Sequence, residues 1–168
     1  MSILYCVVLI GQPVKNYVTI RSTNIQIRAS LNNSPLAWAT DTVSITLDRQ
    51  TGEFKAEILV DDLHFATANP DFTGDTGENT GKYLTLEGII PMNEARNNSN
   101  NAIDRQVEIT AAFNDYEYRS FFTFTILKLQ TVGFSVMANG TISHNALGIN
   151  NLHELDDDLV IILSFTGY

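Results

Sequence analysis

Apolar and polar residues alternate along most of this 168-residue chain. From Asn24 to Leu31, for example, Ile25, Ile27 and Ala29 occupy every second position, with polar residues between them. A period of two places successive side chains on opposite faces of a β-strand, so each such run predicts a strand with one buried face. The pattern recurs in residues 42–47, 53–65, 107–113, 122–126, 134–138 and 159–165. No helical stripe longer than one turn is evident, and the predicted fold class is therefore all-β.

Short segments rich in Gly, Asn and Asp separate these runs. Residues 48–52 predict a hairpin loop that ends in Gly52, and Asn114-Asp115 and Asn139-Gly140 are two further turn candidates. The alternation changes phase at Asp61-Asp62, where a β-bulge is expected. Many short strands with such connections predict an antiparallel lipocalin-like barrel of eight or nine strands, with a β-sandwich as the alternative. The length suits a single domain spanning residues 1–168.

The charge balance is strongly acidic, with 10 Lys and Arg against 19 Asp and Glu and a net charge of −9. Such a surface repels phosphate backbones and anionic lipid headgroups, so nucleic acid is not an expected partner. No stretch reaches the roughly 18–20 apolar residues that span a bilayer, and no membrane span is expected. The single cysteine, Cys6, rules out a disulfide within the chain and a cysteine-based zinc cluster.

Residues 3–10 form an unbroken apolar run at the N-terminus. The run fits either a buried first strand or the end of a secretory signal, and the missing cationic start favours the strand. A long Gly-containing loop carries Asp71, Asp75, Glu78 and Asn79, whose oxygens could suit a calcium ion. Their spacing differs from the EF-hand pattern, so we expect a solvated acidic loop and no metal site.

Signals of catalysis are sparse in this sequence. The three histidines, His64, His144 and His153, form no close pair with metal-ligand spacing. Neither a G-x-S-x-G elbow nor a phosphate-binding loop occurs. We therefore expect a protein that is not an enzyme and needs no cofactor.

Three segments resemble the YceI-like family, whose lipocalin-like barrels hold polyisoprenoid chains. Residues 45–65 contain the family's D-x-x-T-G-x-F turn between two strands. Residues 82–88 are similar to its K-Y-P-x-x-x-F-x-G segment, with Leu84 in place of the proline. Residues 140–161 are similar to its closing segment, with His144 or Asn145 near the usual arginine. The resemblance implies an antiparallel barrel and an apolar, isoprenoid-like ligand. The expected location is periplasmic or secreted, with the cytoplasm as the alternative.

Aromatic side chains are the strongest candidates for the lining of such a barrel. Most of the candidate residues lie on strand faces that should point inward, and an eight-stranded barrel either fills with its own side chains or holds one small ligand. A packed core therefore stays open as the plain alternative. The predicted ligand-binding residues are Phe54, Ile58, Phe65, Leu84, Leu86, Phe122, Phe124 and Phe134.

A second function remains open from the same sequence. Acidic β-domains also serve as structural or assembly subunits of envelopes, fibres and phage-type particles. The apolar runs at residues 3–10 and 159–165 could pair with each other or with a neighbouring subunit, and the Asn-rich residues 93–101 would suit a contact loop. A homo-oligomer is thus a further expectation of this alternative.

Overall fold

The alternating runs become strands of one antiparallel sheet. A computed structural model describes residues 16–31, 33–65, 81–97, 102–129, 133–149, 155 and 158–168. The strands are β1 (Ile20–Leu31), β2 (Ser34–Thr40), β3 (Val43–Leu47), β4 (Glu53–Leu59), β5 (His64–Phe65), β6 (Tyr83–Ile89), β7 (Ile103–Phe113), β8 (Tyr116–Lys128), β9 (Phe134–Ser143) and β10 (Asp158–Gly167). One short helix, α1 (Met92–Asn97), follows β6, and a 3-10 turn (Val60–Asp62) follows β4.

The sheet curls into a barrel, with the strand order β3-β4-β6-β7-β8-β9-β10-β1-β2-β5. The segment before β1 closes the barrel against β3, because the Val18 N–H donates to the carbonyl of Leu47 on β3 at 2.9 Å. Thr19 and Tyr168 exchange two further backbone hydrogen bonds at the end of β10, of 3.2 and 3.1 Å. Eight strands therefore form the ring, and β2 and β5 extend the sheet beyond β1. The all-β class and the antiparallel lipocalin-like barrel are confirmed, and the strands form one sheet rather than a sandwich.

The predicted inward faces are the buried faces of the barrel. On β10, for example, Leu159, Ile161, Leu163 and Phe165 expose at most 3 % of their surface, while the residues between them are partly exposed. The inward residues of the described strands pack together in a single hydrophobic cluster. Each large apolar side chain buried in this way stabilises the fold by about 1.5–3 kcal/mol.

The run at residues 53–65 departs from the expected single strand. A 3-10 turn, rather than the predicted bulge, separates β4 from β5 at the phase change. The Leu63 N–H closes this turn on the Val60 carbonyl at 3.1 Å. The Asp61 carboxylate accepts a hydrogen bond from the Gly81 N–H at 2.9 Å and so fixes the turn to the start of β6. The bulge prediction was wrong because residues 60–62 form a closed turn between two strands and are not an extra residue within a paired ladder.

Asn139-Gly140 is not a turn but lies inside β9, paired with Ile162 and Ile161 on β10. The glycine is required there by packing, because a Cβ at residue 140 would lie 2.1 Å from Cδ1 of Phe122. The turn prediction therefore failed where a glycine provides space for an aromatic ring. The other two turn predictions are confirmed, with a left-handed Asn114 between β7 and β8 and a left-handed Gly52 before β4.

Several expectations fall outside the described residues. They concern the apolar run at residues 3–10, the acidic loop with Asp71, Asp75, Glu78 and Asn79, and His153. The helix α1 overlaps the start of the expected Asn-rich loop, where the sequence indicated no regular element.

The turn between β3 and β4 is held by the carboxylate of Asp48. Its Oδ1 accepts hydrogen bonds from the N–H groups of Gln50 and Thr51, at 2.7 and 2.9 Å. Its Oδ2 accepts one from the Asn16 N–H at 3.1 Å, which ties the turn to the segment that closes the barrel. The Thr51 bond, with the Gln50 and Asn16 bonds, lowers the pKa of Asp48 below its ordinary value of 3.8, against the opposing effect of burial.

We expect the stabilising effect of Asp48 to depend on pH. A carboxyl whose pKa is lowered by folding stabilises the protein above its unfolded pKa, and this effect is lost as the pH falls through the folded pKa. Asp48→Asn should therefore lower the thermal midpoint at neutral pH. The difference from the parent should shrink below about pH 4. Thermal unfolding of both proteins from neutral to acidic pH measures this, and a difference that stays constant down to the lowest pH would contradict it.

Candidate ligand site inside the barrel

The predicted ligand-binding residues come together in the interior of the barrel. Seven of the eight belong to the buried cluster, each with 8 % or less of its surface exposed: Phe54, Ile58, Leu84, Leu86, Phe122, Phe124 and Phe134. Phe65 is the exception, because only its backbone is described. It lies in β5 and pairs with Trp38 on β2. The structure thus confirms that these seven share one interior, while their contact with a ligand stays a prediction.

Four phenylalanines fill one end of the barrel. The ring of Phe54 stacks on Phe165 and meets Phe124 edge-on, with both centroid distances 5.9 Å. Phe134 meets Phe165 edge-on at 6.3 Å. Aromatic pairs in these geometries contribute about 0.5–1.5 kcal/mol beyond their burial. This aromatic cluster lies beside the hydrogen bonds that close the barrel, because Phe54 pairs with Leu47 and Phe134 pairs with Gly167.

Small side chains occupy inward positions further along the barrel. Ala56, Leu86 and Ala111 lie side by side on β4, β6 and β7. Ala138 lies inward on β9 and pairs with Phe124 on β8 and Leu163 on β10. The three alanines have at most 1 % exposed surface, so side chains from other elements fill the space beside them. A guest chain would therefore enter by moving inward side chains apart.

The interior offers very little polar chemistry. Among the described residues, the buried polar or charged side chains are Thr40, Asp48 and His144. Thr40 accepts a hydrogen bond from the Thr42 N–H, and Asp48 holds the β3–β4 turn. His144 lies in the turn after β9, where its carbonyl accepts the Ile149 N–H at 3.1 Å. The rest of the buried cluster is hydrocarbon and aromatic surface, which suits an apolar guest rather than a polar one.

The barrel wall has a gap between β6 and β7. These strands pair over only five residues, 84–88 against 109–113, whereas β7 and β8 pair over eleven. Beyond Gly88 the β6 backbone turns towards β4, where the Ile90 N–H donates to the Gly52 carbonyl at 2.9 Å. The resulting cleft has a volume of about 490 Å³. Its lining comprises Gly88, Ile89, Pro91, Glu94 and residues 105–108.

The described residues hold neither a cluster of metal-ligating side chains nor a membrane-spanning helix. Within them, no three His, Cys, Asp or Glu side chains gather as a metal site would require. In the same part of the chain, no helix combines the length and apolar character needed to cross a membrane.

The fold and its apolar interior define a lipocalin-like barrel. It matches a polyisoprenoid-binding domain from Saccharophagus degradans implicated in plant cell wall breakdown, with a TM-score of 0.70 and 11 % identity over 92 % of this chain and 98 % of that one. It also matches BcnA from Burkholderia cenocepacia, with a TM-score of 0.60 and 12 % identity over 87 % and 96 % of the two chains. No protein-family model and no curated protein matches the sequence. The chain therefore has a YceI-like fold, as the resemblance in its motifs predicts.

Proposed function

We propose that this barrel binds a long apolar, isoprenoid-like chain in its interior and acts as a carrier without chemistry of its own. The observation that supports the proposal most directly is the apolar interior of a barrel whose fold matches a polyisoprenoid-binding domain over nearly the whole chain. We also propose the periplasm or the cell exterior as its location, on the resemblance alone.

The energetics of such binding favour a long guest. Each buried methylene contributes about 0.8 kcal/mol, so a five-carbon isoprenoid unit contributes about 4 kcal/mol before costs. Those costs include the ordering of the guest and the movement of packed side chains. A short apolar molecule repays these costs poorly, while each further unit adds favourable contact. Affinity should accordingly rise with chain length until the interior is full.

A titration with all-trans-retinol tests the proposal. Trp38 is the only tryptophan and packs against the buried cluster, so a bound retinol should quench its fluorescence. We expect saturable quenching at one retinol per chain. Ala138→Phe, which adds a ring to the volume that a guest would have to open, should weaken binding at least ten-fold, while Met137→Phe, one residue away and 53 % exposed, should leave it unchanged. Equal affinities for these two variants, or no saturable binding, would contradict the proposal.

A second candidate, an assembly subunit, is favoured by the outer surface of four adjacent strands. An uncharged central part, called here the uncharged face, comprises Phe121, Thr123, Thr125 and Leu127 on β8, Ser135, Met137, Asn139 and Thr141 on β9, Val160, Ile162, Ser164 and Thr166 on β10, and Ser22, Asn24 and Gln26 on β1. Charged residues border it, because Arg28 on β1 pairs with Val160, and the Asp104 carboxylate on β7 accepts a hydrogen bond from Thr125. By contrast, the outer side of β4 carries Glu53, Lys55 and Glu57. In a chain of net charge −9, the centre of this face lets a second copy approach with carboxylates only at its border.

This second candidate predicts a measurable oligomer. If the uncharged face joins copies of the chain, Ile162→Asp should dissociate the assembly, because it buries an unpaired charge at the centre of the contact. Thr85→Asp, on the outer side of β6, is the matched control and should leave the assembly intact. Sedimentation velocity over a hundred-fold concentration range measures both variants. A parent protein that stays monomeric over the whole concentration range would contradict the proposal of an assembly subunit.

A further inference from the structure

The cleft between β6 and β7 reaches the buried cluster directly. One of its lining residues, Val107, belongs to that cluster and exposes only 7 % of its surface. The facing residue on the other side is Gly88, and the Ile109 side chain occupies the space beside it, since a Cβ at residue 88 would lie 2.5 Å from Cδ1 of Ile109. The side chains of Val107 and Ile109 therefore lie between the cleft and the interior of the barrel.

An ion pair spans this cleft. Arg105 on β7 donates from Nε to Oε2 of Glu94 on α1 at 2.7 Å, and its Nη2 contacts the same oxygen. Side chains alternate along β7, so Arg105 occupies the same inward row as the buried Ile103 and Val107. Its side chain is nevertheless 45 % exposed. The missing strand partner beside it explains this exposure. Because Glu94 is also 51 % exposed, water screens the pair and it holds the cleft only weakly.

We infer that this cleft is the side entrance through which an apolar chain passes into the barrel. The inference rests on the proposed function. The ladder between β6 and β7 ends at Gly88 and Ile109, so a chain that slips in beyond that point breaks none of its hydrogen bonds. Directly inside the cleft lies the aromatic cluster, because Phe54 pairs with Gly88 and Phe124 pairs with Arg105, so an entering chain meets these rings first. Ile89, 65 % exposed at the rim of the cleft, provides an apolar surface for first contact.

The separation of Arg105 from Glu94 is the step that widens the entrance. It exchanges one solvent-screened ion pair for hydration of both groups, which costs little. Glu94 lies on α1, two residues after the buried Met92, so a small shift of this helix moves the carboxylate without unfolding a strand. The pair therefore acts on the rate of entry and exit rather than on the affinity of the bound state.

Blocking the cleft tests the inference. We would place Ile89→Cys in a Cys6→Ser background, attach biotin through a maleimide, and add streptavidin as a bulky plug. Stopped-flow measurement of retinol emission gives the association and dissociation rates. We expect both to fall at least ten-fold with an unchanged Kd, because a plug at an entrance slows both directions equally. Asn24→Cys, on the opposite wall and exposed, is the matched control and should keep parental rates with and without streptavidin.

Removing the ion pair should change the association and dissociation rates of retinol in the opposite direction. Glu94→Ala and Arg105→Ala should each accelerate retinol exchange by up to about five-fold with the same Kd. If retinol binds at equal rates to the Ile89→Cys and Asn24→Cys proteins with streptavidin attached, the cleft is not the entrance, and the carrier proposal is unaffected. Failure of the parent protein to bind retinol would overturn both.

Discussion

Phe124→Ala should destabilise the protein by about 3–5 kcal/mol, the usual cost of emptying a buried phenylalanine site. The ring exposes only 1 % of its surface and meets Phe54 edge-on within the aromatic cluster. Its backbone neighbours are fixed in ladders on both sides, opposite Arg105 and Ala138, so the site cannot collapse by moving the strand. Chemical denaturation at equilibrium measures the change in the free energy of unfolding.

Phe121→Ala provides the matched control for this experiment. Phe121 lies on the same strand and carries the same side chain, but it points outward and is 66 % exposed. Its truncation should change the free energy of unfolding by no more than about 0.5 kcal/mol. Similar losses for the two variants would mean that the inward and outward faces of β8 are assigned wrongly, and with them the interior of the barrel.

Gly140→Ala should cost about 1–3 kcal/mol, although it adds only one methyl group. The new Cβ would lie within 2.1 to 2.5 Å of three ring atoms of Phe122, far inside contact distance. The backbone there is ordinary strand without a positive φ, so steric overlap rather than backbone strain is the expected cause. The loss should appear as a lower denaturation midpoint with an unchanged slope.

A double variant separates steric overlap from a general effect on β9. Phe122→Leu removes the ring that the new methyl group meets, so Gly140→Ala should cost less in that background than in the parent. The coupling between the two substitutions should exceed about 0.5 kcal/mol. Strict additivity would indicate that residue 140 acts through some other contact.

The strand faces were the most predictable part of this fold. The alternation on β7, β8 and β10 survives because each of these strands has one face in the core and one outside, which forces a period of two. The alternation weakens where this condition fails. In β2, Pro35 stands near the strand start and Ala37 is buried on the outer side, so the segment gave no clear strand signal. Asn139-Gly140 resembles a turn because local rules cannot anticipate a ring from β8.

The candidate site was predictable to the same extent and for the same reason. Seven predicted residues lie in the interior because an inward position on a strand can be inferred from its neighbours. Phe165 was placed on an inward face by its alternation, but its stacking on Phe54 joins strands that are more than a hundred residues apart in sequence. The cleft between β6 and β7 has no local signal either. It arises where β6 turns towards Gly52 and stops pairing with β7, which depends on the register of three strands.

Native mass spectrometry of the protein, purified from cells without detergent, tests the central proposal most directly. A carrier for an apolar chain should retain an added mass of several hundred daltons at one copy per chain, and extraction with organic solvent should remove it. The extracted molecule should be a hydrocarbon-rich lipid that rebinds to the stripped protein. A bare chain that stays unliganded after incubation with isoprenoid lipids would contradict the proposal and identify the interior as a packed core.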